Sequence, residues 1–138
     1  MLYESTRGSL DRMTGAQAII RGIAADKGLY VPVQVPALPF DIAEAAARMA
    51  AGKIGFQVIG AFFDDFTQEE MHSCIEGAYD SKFTVPDIVE LKQAGGARFL
   101  ELYHGKTAAF KDMALSILPY LMTTACRKEG EKSKICIL

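Results

Sequence analysis

Apolar residues recur at helical spacing three times in the first half of the chain, and each time a polar pair announces the start. Thr14 with Gln17, Asp41 with Glu44 and Thr67 with Glu70 have the spacing in which an N-cap side chain and a residue three positions on satisfy each other's backbone donors. Behind the first pair Ala16, Ile19, Ile20 and Ile23 share a helical face, and Gly28 is placed to close the segment in a left-handed conformation. Behind the second come Ala45, Ala46, Met49 and Ala50, with Gly52 after them. Residues 54–66 are apolar nearly all round, with Phe56, Ile59, Phe62 and Phe63, and this predicts a buried helix. The third start leads into Met71, Cys74, Ile75, Ala78 and Tyr79, with His72 on the polar, solvated side. Periodicity alone assigns these aromatics and methionines to a core.

From Val85 onward the pattern changes. Val85, Ile88, Val89 and Leu91 precede Gly95-Gly96, and Phe99-Leu100-Glu101-Leu102-Tyr103 is aromatic and apolar enough for a strand. Thr107 is a plausible N-cap for a helix carried by Met113, Leu115, Leu118, Leu121, Met122 and Ala125. Pro119 inside that run removes a backbone donor and predicts a kink or an early break. The charged stretch at 127–134 reads as a solvated turn, and Ile135-Cys136-Ile137-Leu138 as the start of a buried strand. A strand of a parallel sheet usually leads into a loop and a covering helix, so this ending predicts a truncated protein. The pattern is that of a mixed, helix-rich α/β chain in two units, residues 1–84 and 85–138.

Composition narrows the reading. At 138 residues, half of them hydrophobic, the chain can bury a core. Its 15 basic residues are scattered among 17 acidic ones for a formal charge of -2, without the basic cluster that nucleic-acid binding requires. The three cysteines, Cys74, Cys126 and Cys136, lack CxxC spacing; they fit reduced core thiols better than disulfides or a zinc site, and no metal is expected. The opening MLYESTRGSLDR has no apolar signal core, and no run approaches a membrane span, so a cytoplasmic protein is expected.

The candidate chemistry lies in HGKTAAFKD, residues 104–112. A Thr107-capped helix would hold Lys111 in its first turns beside Phe110. Desolvation and the positive helix end would both disfavour its ammonium form and make the amine a nucleophile toward carbonyls. An ordinary surface lysine paired with a carboxylate is the alternative. Asp112 falls on another side of the helix and is expected to be structural. His104 could contact a cofactor or substrate, or hydrogen-bond to backbone at a strand end. Ser5, Thr6 and Arg7 offer hydroxyls and a guanidinium to a phosphate ester, or form a strand edge in which Arg7 pairs with a carboxylate.

Three ordered motifs bear a resemblance to one family. HGKTAAFKD resembles the His-Gly-Pro-Thr-x-x-Phe-Lys-Asp segment of threonine synthase, Tyr3-Glu4-Ser5-Thr6-Arg7-Gly8 its opening Tyr-x-Ser-Thr-Arg-Gly, and Gly28-Leu29-Tyr30-Val31-Pro32 its Gly-Leu-Tyr-Val-Pro. Lys106 stands where the family has proline. The resemblance covers nearly all of the chain. It implies a helical amino-terminal domain over 1–84 and, over 85–138, the beginning of a fold-type II pyridoxal phosphate domain. It further implies that Lys111 carries the cofactor as a Schiff base, with Phe110 and His104 beside it and Ser5, Thr6, Arg7 and Thr107 toward the substrate. The implied full-length reaction converts O-phospho-L-homoserine and water to L-threonine and phosphate. The segment alone is expected to be inactive, to retain the cofactor poorly and to self-associate through exposed apolar surface. A related phosphate-eliminating lyase and a non-catalytic helical module are the alternatives.

Overall fold

In the computed structural model, which describes residues 1–79 and 81–135, ten short elements follow one another along the chain. They are β1 (Tyr3–Ser5), α1 (Gly15–Arg21), β2 (Tyr30–Pro32), α2 (Ile42–Arg48), α3 (Ala51–Phe62), α4 (Gln68–Tyr79), β3 (Glu90–Ala94), β4 (Ala97–Glu101), α5 (Asp112–Leu115) and α6 (Leu118–Glu129). The fold is mixed α/β and rich in helix, as the pattern predicts. Both described sheets are two-stranded and antiparallel: β1 pairs with β2, and β3 with β4. The strand expected at residues 135–138, with Cys136, lies outside the described residues except for exposed Ile135.

The first and third helix starts are built as the reciprocal pairs the sequence predicts, and the second makes one of its two bonds. Thr14 accepts from the Gln17 N–H while the Gln17 side chain accepts from the Thr14 N–H. Thr67 and Glu70 repeat the exchange, and Asp41 accepts from the Glu44 N–H. Asp65 adds a carboxylate at the start of α1, 2.8 Å from the Ala16 nitrogen, so orphan first-turn donors are satisfied from two directions.

Helix ends depart from expectation. Gly22, with φ of 69°, closes α1, which leaves Ile23 63% exposed in a bridge to Leu29. Gly28 has a different role: a Cβ there would lie 2.1 Å from the Ser5 hydroxyl. Gly52 lies within the first turn of α3 and does not stop α2; extended Met49 does. No residue of α3 is fully buried, because one helix packed chiefly on one neighbour cannot cover an all-round apolar surface. The charged stretch at 127–134 is helical as far as Glu129, where left-handed Gly130 ends α6. Arg127 and Lys128 thus occupy the last turn, where the helix dipole favours cations, and Lys128 reaches Glu70 at 3.0 Å.

One core joins the two halves of the chain. Ala16 of α1, Phe66, and Met71, Cys74, Ile75 and Ala78 of α4 pack with Ile117, Leu121 and Ala125, so the cluster draws on residues from both sides of position 84. The approach of α4 to α6 is close at Gly77, where a Cβ would fall 2.3 Å from the Tyr120 ring. Cys74 is buried, with its thiol 3.5 Å from the Thr124 hydroxyl, and burial pushes that thiol's pKa up. Pro119 lies in the first turn of α6, where its missing N–H removes no helical bond; the predicted break falls at Ser116 and Ile117, between α5 and α6.

Candidate active-site loop

Residues 104–111 form an irregular loop between β4 and α5, which Asp112 begins. Its first residue is anchored twice: the Thr84 N–H donates to the His104 carbonyl at 2.9 Å, and Thr84 Oγ1 lies 3.0 Å from His104 Nδ1. His104 Nε2 lies 3.0 Å from Glu101 Oε2. Both ring nitrogens are therefore engaged by the chain itself.

Thr107 does not cap a helix. Its N–H donates to Asp112 Oδ2 at 2.7 Å and its hydroxyl to Asp112 Oδ1 at 2.6 Å. This side-chain alternative competes with helical bonding, and Ala108, at φ of 56°, sits in the left-handed region that a helix excludes. Regular helix begins only at Asp112 and lasts one turn. Lys111 is therefore the N-cap residue of a one-turn helix and stands at a helix start, not inside the longer Thr107-capped helix expected, and Lys111 and Phe110 are both exposed.

Asp112 organises the loop. Its carboxylate is buried, and the Thr107 hydroxyl, then the Thr107 N–H, hold its pKa below the usual carboxylate range. Gly105 is where it is because of that carboxylate: a Cβ at 105 would meet Asp112 Cβ at 2.4 Å and Oδ2 at 2.5 Å. The structural role expected for Asp112 is what the geometry displays. The Tyr79 hydroxyl donates to the Met113 carbonyl at 2.7 Å and ties α5 to α4. Lys111 is fixed through its backbone, its carbonyl accepting from the Leu115 N–H at 2.8 Å, and its ammonium forms no ion pair among the described residues.

The second candidate segment lies at β1. Ser5 is buried and donates to Asp26, at 2.6 Å from Oδ1. Asp26 also accepts from the Ser9 and Gly28 N–H groups; the Ser5 hydroxyl is the chief reason its pKa falls. Thr6 Oγ1 accepts from the Leu29 N–H at 3.0 Å. Arg7 is exposed and, among the described residues, unpaired, so the strand-edge reading holds for the hydroxyls and its expected carboxylate pair is not formed. His104, Thr107, Phe110 and Lys111 are brought together on one loop. No hydrogen bond or ion pair among the described residues joins that loop to Ser5, Thr6 or Arg7.

The family model described as "Threonine synthase N terminus" matches residues 2–79. The chain belongs to the threonine synthase family. It is 34% identical to the threonine synthase of Schizosaccharomyces pombe over 94% of its own length and 26% of that protein's. Against the threonine synthase of Pseudomonas aeruginosa it is 31% identical, over 96% of the chain and 28% of the relative. The crystal structure of a pyridoxal phosphate-bound threonine synthase from Brucella melitensis superimposes with a TM-score of 0.82 at 28% identity, over 94% of this chain and 28% of that one. The chain thus spans between a quarter and a third of the length of these threonine synthases.

Two features escaped the sequence. The Thr107–Asp112 clasp was hidden behind the resemblance of Thr107 to a helix cap. Glu90 and Glu101 converge with His104, one ligand atom of each within 4.8 Å of the others. The signal for that pairing was present: a two-residue turn at Gly95-Gly96 places residue 90 directly opposite residue 101.

Proposed function

We propose that the chain is the amino-terminal portion of a threonine synthase and contributes Lys111 as the amine that bonds the aldehyde of pyridoxal phosphate. The observation that carries this reading is the state of the loop: its neighbours are tied to Thr84, Glu101 and Asp112, while the Lys111 side chain is left exposed and unpaired. An amine so presented fits a group arriving from outside this segment. Phe110, 64% exposed beside it, offers an apolar surface for a planar ring. His104, held by both nitrogens, fixes the loop from which these side chains project, and Thr107 locks it through Asp112. Arg7 is the group of the Ser5–Arg7 segment left to reach a substrate phosphate, since the two hydroxyls are occupied.

Pyridoxal phosphate, when bound, supplies the electron sink for charge developing on substrate carbon. Lys111 Nζ would be the amine placed to take a proton from one substrate carbon and return it to another. The reaction served is conversion of O-phospho-L-homoserine and water to L-threonine and phosphate, a lyase step of threonine biosynthesis in the cytoplasm. This chain by itself does not turn over and holds the cofactor weakly, and it self-associates through exposed Leu91, Phe99, Leu100, Phe110 and Leu115. Its short coverage of its relatives supports the first part. No helix among the described residues is long and apolar enough to cross a membrane.

The test is borohydride reduction of the full-length protein with pyridoxal phosphate followed by peptide mapping. Label concentrated on Lys111 supports the assignment; label confined to Lys106, or spread evenly over exposed lysines, sinks it. Phosphate release from O-phosphohomoserine by the purified chain would refute the proposed inactivity.

A further inference from the structure

We propose that Glu90, Glu101 and His104 form a binding site for a first-row divalent cation of the zinc or manganese kind, independent of the reading of Lys111. The hairpin places Glu90 and Glu101 directly opposite each other, an arrangement of like charges that destabilises a sheet unless a cation intervenes. His104, three residues beyond Glu101, completes the set from the end of the same strand. The His104 and Glu101 side chains are only 11% and 18% exposed, so water competes for them less than at an open surface. Glu90 stands at the rim, 40% exposed.

The imidazole is oriented from outside the set. Thr84 Oγ1 holds Nδ1 and directs Nε2 toward the carboxylates, an outer partner that fixes the orientation of the ring; on loading, the cation would replace the Nε2 proton. Two carboxylates and one imidazole form a mixed donor set, better matched to zinc or manganese than to calcium, which takes oxygen alone. Bonds of about 2.1 Å in a tetrahedral shell put ligand atoms about 3.4 Å apart, so rotation of the rim glutamate closes the set and solvent fills the remaining position. Lys92, which bonds Glu90 in the cation-free chain, is half exposed and can swing into water. A cation here would clip the hairpin to the first residue of the 104–111 loop.

Chelator-stripped chain is titrated with Mn2+, read by loss of the free-ion paramagnetic signal, and with Zn2+ by calorimetry. The expected result is one saturable site per chain, weakened at least tenfold by Glu90→Gln and by Glu101→Gln and about tenfold by Thr84→Val, with slowed amide exchange over residues 90–101 on loading. Glu90→Gln leaves both His104 bonds in place, so loss of binding with an unchanged circular dichroism spectrum separates ligation from unfolding. Absence of saturable binding, or binding undiminished in both glutamine variants, overturns the proposal.

Discussion

Gly77→Ala is a substitution whose sign the structure decides. In an ordinary helix interior alanine is favoured over glycine by about 0.8–1.0 kcal/mol. At position 77 the new methyl would lie 2.3 Å from Tyr120 Cε1 and 2.8 Å from Cδ1 and Cζ, well inside contact distance. The ring is not free to retreat, because Lys82 bonds its hydroxyl and sits 4.3 Å above its centroid. Overpacking of this kind costs about 1–3 kcal/mol. Subtracting the helical gain leaves a net loss of up to about 2 kcal/mol. In a Tyr120→Ala background the obstruction is gone, and the same substitution should stabilise by up to about 1 kcal/mol. Denaturant unfolding of the four proteins measures both values, and their difference is a coupling of about 1–3 kcal/mol. Additivity to within about 0.5 kcal/mol would refute the claim that Gly77 is retained for the approach of α4 to α6.

Further outcomes follow from the same geometry. Gly105→Ala should push Asp112 off Thr107 and scatter the borohydride label away from Lys111, measured by peptide mapping. The Asp26 carboxylate, whose folded pKa is lowered by the Ser5 hydroxyl, contributes stability that is present above about pH 4 and lost as pH falls through the lowered value. An acid unfolding limb in wild type that Asp26→Asn flattens would confirm this, and an unchanged limb would contradict it. Tyr3, buried and facing Asp65 and Asp64, should ionise near 12 and not near 10, and its stabilising contribution should persist to about pH 10 and fade through 12; tyrosinate absorbance against Tyr3→Phe resolves it. Amide exchange should be slow in both α4 and α6 and fast in β3 and β4, whose residues are exposed from Leu91 to Leu100; fast exchange in α6 would contradict its place in the core.

The sequence was most readable where one local rule decides the outcome. Thr14, Asp41 and Thr67 cap as predicted because capping is a contest within four residues. Met71, Cys74, Ile75 and Ala78 are buried because a 3.6-residue period admits one inward face. It was least readable where a distant partner intervenes. Thr107 has the chemistry of a cap, and only the buried Asp112 five residues on redirects it. Gly28 reads as a helix stop until Ser5 is seen pressed against it. The reach of α6 back to Ala16 has no signature in either segment alone, since packing between helices depends on shapes that meet only after folding. Lys111 was singled out through its neighbours in the motif, and it stands at the start of a helix one turn long instead of within the longer one expected.

The turn at Gly95-Gly96 joins two strands that present both faces to solvent. The covalent path between the halves of the molecule therefore runs through an exposed hairpin, while the cohesion between them runs through the core shared by Ala16, Ile75, Leu121 and Ala125. A protease cutting at that turn would sever the chain without dividing the fold: the two pieces would migrate apart in denaturant and together in native buffer. Connectivity and cohesion are carried by different parts of this protein.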